Sequence, residues 1–161
     1  RQFEDCIKLT KAPDMTKTNA LSSINAIFKG CTSLVDAPVI PDSVLDMSEA
    51  FLGDSNIYTA SAFPESVEDI SSAYADCISL EKAASIPASV INCDSCYSGC
   101  SNLYGELSIN TNTEDCANLL SNAVTSGKTL KLKGKSGRLF EIQQDSGSRY
   151  VTIKDLSLIH I

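Results

Sequence analysis

The sequence predicts a repeat solenoid of short parallel strands with a small antiparallel β cap at its carboxy-terminal end, on three observations. The segments FKGCTSL, FLGDSNI, YADCISL and YSGCSNL begin at Phe28, Phe51, Tyr74 and Tyr97, successive steps of 23 residues. Columns of residues stay apolar from copy to copy. From Lys128 the composition changes: residues 1–127 hold 6 Lys and Arg against 17 Asp and Glu, and residues 128–161 hold 7 against 3, giving −11 and +4.

The repeat comes first, because a missed period misassigns the whole chain. Pro41, Pro64 and Pro87 share one column, and Val44, Val67 and Val90 another. An earlier copy, FEDCIKLTKAP from Phe3, matches at a spacing of 25, and a fifth copy decays after Tyr97. The inward columns are Phe28/Phe51/Tyr74/Tyr97, Leu34/Ile57/Leu80/Leu103, Ile40/Phe63/Ile86/Ile109 and Met47/Ile70/Cys93/Cys116. No single copy buries these side chains alone, whereas stacked copies make a continuous core at about 25 cal/mol per Å² of apolar area.

Within a unit, Leu34 to Ile40 is bounded by Gly30 and Pro41 and reads as a brief strand. Val44, Met47 and Phe51 recur at three and four residues and read as a helical or 3₁₀ turn. Thr129–Lys133, Arg138–Gln143 and Arg149–Lys154 are β-rich runs separated by Gly-containing turns, which reads as hairpins. The expected domains are a solenoid of about five coils over residues 1–124 and a β-rich cap or attachment segment over 125–161. The final LSLIHI reads as a last strand or a disordered end, and GKSGR at 134–138 as a turn, since it lacks the spacing of a phosphate-binding loop.

Composition narrows function. The chain has 161 residues, 43% apolar and 20% charged, with no apolar run near the roughly 20 residues needed to span a bilayer. A net charge of −7 disfavours nucleic acid, whose phosphates require clustered Lys and Arg. A single His, at position 160, leaves no Ser/His/Asp or Cys/His arrangement, so no catalytic residue is assigned. The start at Arg1, without Met or signal sequence, reads as a processed product or an excised fragment.

Seven cysteines raise a metal hypothesis, since Cys93, Cys96 and Cys100 form CxxCxxxC and Cys116 supplies a fourth thiolate. The columns outweigh it. Cys6, Cys31, Cys77 and Cys100 share one column, Cys93 and Cys116 another, and Cys96 stands where Ala50 and Ala73 stand, so each reads as a small core hydrophobe and no metal or cofactor is assigned. The odd count argues for mainly free thiols and leaves open a Cys93–Cys116 or a Cys77–Cys100 bridge between adjacent coils. The acidic residues Asp36, Asp42, Asp46, Glu49, Glu65, Glu68 and Asp69 lack the alternating spacing of a calcium loop and read as a solvated face.

Phe28, Gly30, Cys31, Leu34, Ile40, Pro41, Ser43 and Val44, with their counterparts 23 and 46 residues later, give a unit that resembles the BspA-like leucine-rich repeats of bacterial surface proteins. The resemblance covers roughly residues 3 to 119 and departs from the usual pattern in placing Ala at 37, 60 and 83. It implies a leucine-rich-repeat superhelix, an extracellular or surface location, and binding or cell adhesion rather than catalysis. The variable positions beside the strands are then the ligand face: Asp36, Tyr58, Glu81, Lys82 and Tyr104. The two tyrosines lead, because Tyr offers apolar area and a hydrogen-bonding tip at low entropy cost. The expected partner is a protein or glycan on a cell surface or matrix. The alternative is a structural subunit of a filament or virion appendage, assembling head to tail through the repeat ends and the basic tail.

Overall fold

The computed structural model describes residues 2–18, 20–125, 127–134 and 138–154. LSLIHI with His160, and residues 135–137 of GKSGR, lie outside the described residues. Among the described residues, regular structure is confined to the carboxy-terminal third: β1 (Gly105–Ser108), β2 (Leu130–Lys133), α1 (Leu139–Asp145) and β3 (Val151–Ile153). The strands form one sheet in the order β1-β2-β3, with Gly105 opposite Leu130 and Leu130 opposite Val151, and both pairings are parallel.

This arrangement corrects the expected fold class. Among the described residues no leucine-rich-repeat superhelix forms; the protein is a small compact domain with a three-stranded parallel sheet and very little helix. Of the stretches read as brief strands, Leu34–Ile40 holds no bridge, and its counterparts at 57–63 and 80–86 hold only single bridges, Thr59 to Lys82 and Ile86 to Ile109. Proline explains the brevity. Pro38 and Pro41 bring no N–H to a ladder, and Pro64 and Pro87 end the corresponding stretches. β1 lies where this proline is missing, and there a ladder forms.

The expected antiparallel cap is also corrected, since all three strands run parallel. Of its three β-rich runs, the second is a helix. Leu139 and Ile142 are both buried, a three-residue spacing that fits one helix face, whereas in a strand they would point to opposite sides. With α1 between them, β2 and β3 are joined by a crossover rather than a hairpin turn, the connection that parallel neighbours need.

Outside β1, tight turns recur along the backbone between residues 24 and 124. Ala50 N–H bonds Met47 C=O at 3.1 Å and Asp54 N–H bonds Phe51 C=O at 3.1 Å, with positive φ at Glu49 (56°) and Gly53 (79°). The same left-handed positions recur at Ala26, Ser72, Ser95 and Asn118, and at Gly30, Asp76, Gly99 and Asn122. A left-handed residue stops helical propagation, which is why the three- and four-residue apolar spacing yields turns and no helix. The second set is Gly, Asp or Asn throughout, the types that tolerate this conformation.

The turns leave alternate N–H groups pointing to the next unit. Ile24, Ala26, Phe28 and Gly30 donate to the carbonyls of Asp46, Ser48, Ala50 and Leu52 at 2.8–3.0 Å, and Met47, Glu49, Phe51 and Gly53 donate to Asp69, Ser71, Ala73 and Ala75. Side chains follow the same offset. Phe3, Phe28, Phe51, Tyr74 and Tyr97 stack in one row, with centroids 4.9–5.9 Å apart and planes within 15°. The four inward columns are buried throughout. Buried Tyr74 and Tyr97 keep their hydroxyls satisfied: Ser61 N–H donates to Tyr74 Oη at 3.0 Å, and Tyr97 Oη donates to Ala84 C=O at 2.8 Å.

Candidate binding site

The candidate face is built on the backbone register of Tyr58, Glu81 and Tyr104. Glu81 N–H donates to Tyr58 C=O at 2.9 Å and Tyr104 N–H donates to Glu81 C=O at 3.1 Å, so three residues 23 apart in sequence come side by side. Tyr58 is 52% exposed and Tyr104 37% exposed. Ile57, Leu80 and Leu103 are buried, so each outward residue is anchored by an apolar neighbour immediately before it.

The side chains of Glu81 and Tyr104 meet. Tyr104 Oη donates to Glu81 Oε2 at 3.2 Å, and Lys128 Nζ lies 3.6 Å from Glu81 Oε1 and 5.0 Å from the Tyr104 ring centroid. Donation to the carboxylate, and the negative charge beside it, raise the Tyr104 phenol above its ordinary range. Lys128 also donates to Asn102 C=O at 3.2 Å, which fixes the ammonium over the ring. A hollow of about 350 Å³ opens beside this cluster, lined by Tyr104, Gly127, Lys128 and Thr129.

Asp36 and Lys82 are exposed, and neither takes part in the hydrogen bond, ion pair and ring contact that join Tyr104, Glu81 and Lys128. The structure thus joins two of the five expected residues directly, sets Tyr58 beside them through the backbone, and adds Lys128. Lys128 was not among the expected site residues, although it opens the basic segment and pairs with the acidic body. A second ion cluster lies along the sheet: Lys133 Nζ at 2.6 Å and Lys154 Nζ at 2.5 Å both hold Glu106. Hydrogen bonds from the two lysines bring the Glu106 carboxyl down to about 2.

Of the two cysteine pairings left open by the sequence, Cys93–Cys116 is the disulfide. Cys31, Cys77, Cys96 and Cys100 are free and buried, and Cys6 is free and exposed. Burial raises the Cys31 thiol to about 11 and places Cys77, Cys96 and Cys100 above the ordinary thiol range, so these are packing residues and not poised nucleophiles. Among the described residues no group of three or more His, Cys, Asp or Glu is placed to hold a metal ion, and no helix is long and apolar enough to cross a membrane.

Searches against protein-family models, curated proteins and solved structures return no match.

Proposed function

We propose that the protein is a non-catalytic binding module of the extracellular or cell-surface environment, taking a protein or glycan ligand on the face of Tyr58, Glu81, Lys82 and Tyr104, with Asp36 at its margin. The observation that carries this reading is the row itself: two exposed tyrosines and a carboxylate in backbone register, with a lysine braced over one ring. Tyrosine and charge together on a rigid backbone suit recognition at low entropy cost. The resemblance to BspA-like surface proteins points to the same setting, and the Cys93–Cys116 disulfide suits an oxidising compartment.

The test is binding of the purified chain to a glycan array and to immobilised collagen and fibronectin, beside the double variant Tyr58→Ala/Tyr104→Ala. Loss of at least tenfold in affinity, with an unchanged unfolding midpoint, supports the reading. Equal binding by both proteins, or none by the wild type on any of these surfaces, overturns it.

A second reading, a subunit that assembles head to tail, draws on the division of charge between −11 and +4. Light scattering after size exclusion at low and moderate salt separates the two: large, salt-sensitive species favour assembly, and a monomer in both removes it.

A further inference from the structure

Asp54 stands in a column of thiols. Cys31, Asp54, Cys77 and Cys100 follow one another at 23-residue steps, and Asp54 is 0% exposed. Each thiol in the column donates to the backbone carbonyl of the aromatic residue one unit earlier: Cys31 Sγ to Phe3 C=O at 3.0 Å, Cys77 Sγ to Phe51 C=O at 3.1 Å, and Cys100 Sγ to Tyr74 C=O at 3.0 Å. By the register of these three bonds, the carbonyl one unit before Asp54 is that of Phe28. As an ionised carboxylate Asp54 has nothing to donate, and no group reaches either of its oxygens with full hydrogen-bond geometry, the Cys31 N–H offering only a weaker approach.

The titratable neighbours offer an ionised Asp54 no compensation. Cys31 faces it from the preceding unit and Cys77 from the following one; a negative Asp54 would raise both thiols, and neither brings a positive charge to it. Beyond these thiols lie Asp5 and Asp76, also acidic, and the ion pairs Lys29–Glu49, Lys128–Glu81, Lys133–Glu106 and Lys154–Glu106 lie elsewhere. An isolated buried charge is unfavourable, and a carboxyl in that position holds its proton instead.

We propose that Asp54 is a neutral carboxylic acid in the folded protein, donating its O–H to the Phe28 carbonyl in place of a thiol, and that this one residue makes the domain a pH-responsive element, firmer in acid than at neutral or alkaline pH. The direction follows from linkage. Burial raises the carboxyl from 3.8 to about 8, with the backbone of Cys31 acting in the opposite sense. Between these values the unfolded chain has released the proton and the folded chain has kept it, so stability is fully present below about 4 and falls as pH rises towards about 8. The neighbouring thiols stay protonated across this window.

The experiment compares urea unfolding of the wild type with Asp54→Asn, whose amide donates at every pH, from pH 5 to 8.5 without reductant. The folding equilibrium constant of the wild type relative to Asp54→Asn should fall roughly tenfold per pH unit and level above pH 8. A ratio independent of pH overturns the proposal. Should the variant fail to fold, the wild type labelled with ¹³C at its aspartate carboxyls decides by nuclear magnetic resonance: one carboxyl with the acid-form shift at pH 6.5 supports the proposal, and none refutes it.

Discussion

The body of the protein, residues 24–104, and its carboxy-terminal segment, residues 105–154, solve the same problem differently. In the body each unit satisfies its neighbour through alternate N–H groups projecting from tight turns, and an aromatic row fills the space beneath. In the carboxy-terminal segment a parallel ladder does this, with α1 packed against it and Glu106 tied to two lysines across the sheet. The turn-built body depends on residues that accept positive φ and on flat rings that stack at a constant offset. The sheet asks only for alternating side chains and a crossover long enough to bring the chain back. A local change in backbone chemistry should therefore cost more in the body than along the sheet edge.

The largest expected effect tests the aromatic row. Phe51 is fully buried, with ring centroids 5.5 Å from Phe28 and 4.9 Å from Tyr74, so Phe51→Ala should destabilise the fold by about 3–5 kcal/mol in urea unfolding. A loss below about 1 kcal/mol would mean that the row is not what holds the body together.

Next comes the staple between the body and the last unit. Cys93 and Cys116 close a separation of 23 residues, and Cys93→Ser/Cys116→Ser should lower stability by about 3 kcal/mol, as should reduction of the wild type. An unfolding midpoint indifferent to reductant would separate the two regions thermodynamically.

A pair of glycines sharpens the comparison within the body. Both Gly53 and Gly99 have positive φ, but a Cβ at Gly99 would lie 2.2 Å from Asp76 Oδ1, whereas a Cβ at Gly53 meets nothing within 4 Å. Gly53→Ala should cost about 1 kcal/mol from backbone strain alone, and Gly99→Ala more, until Asp76 is also replaced by Ala. Equal costs would show that conformation alone, and not the close approach of Asp76, selects glycine there.

The smallest effect belongs to the sheet edge. Glu106→Gln should leave the unfolding midpoint at neutral pH and 0.15 M salt nearly unchanged, because its ion pairs are exposed and screened. The depressed carboxyl contributes above its unfolded value of 4.5 and loses that contribution as pH falls towards about 2, so any small advantage of the wild type should disappear in acid, the variant declining slightly less steeply from neutral pH. A marked loss at neutral pH would place the sheet edge among the principal supports.

Tyr58 and Tyr104 were legible as a column, because 23-residue spacing alone brings them into one file, and the structure leaves both exposed. Lys128 was not, since no period links it to Tyr104; the pairing depends on how the segment after Gly127 crosses the end of the body. The misread second run, Arg138–Gln143, shows the limit of local pattern. Its apolar positions at 139, 140 and 142 suit either a strand or a short helix, and only packing against the sheet selects the helix.

From the amino-acid order alone come the period, the apolar columns and the change of charge at Lys128, all of which are properties of residues at fixed separations. Whether those columns meet through strands or through turns, whether the last strands run parallel, which cysteines join and where Asp54 lies among them were decided by tertiary structure. Each depends on backbone groups finding partners 22 to 26 residues away, and a hydrogen bond at that range is set by the path of the whole chain between them.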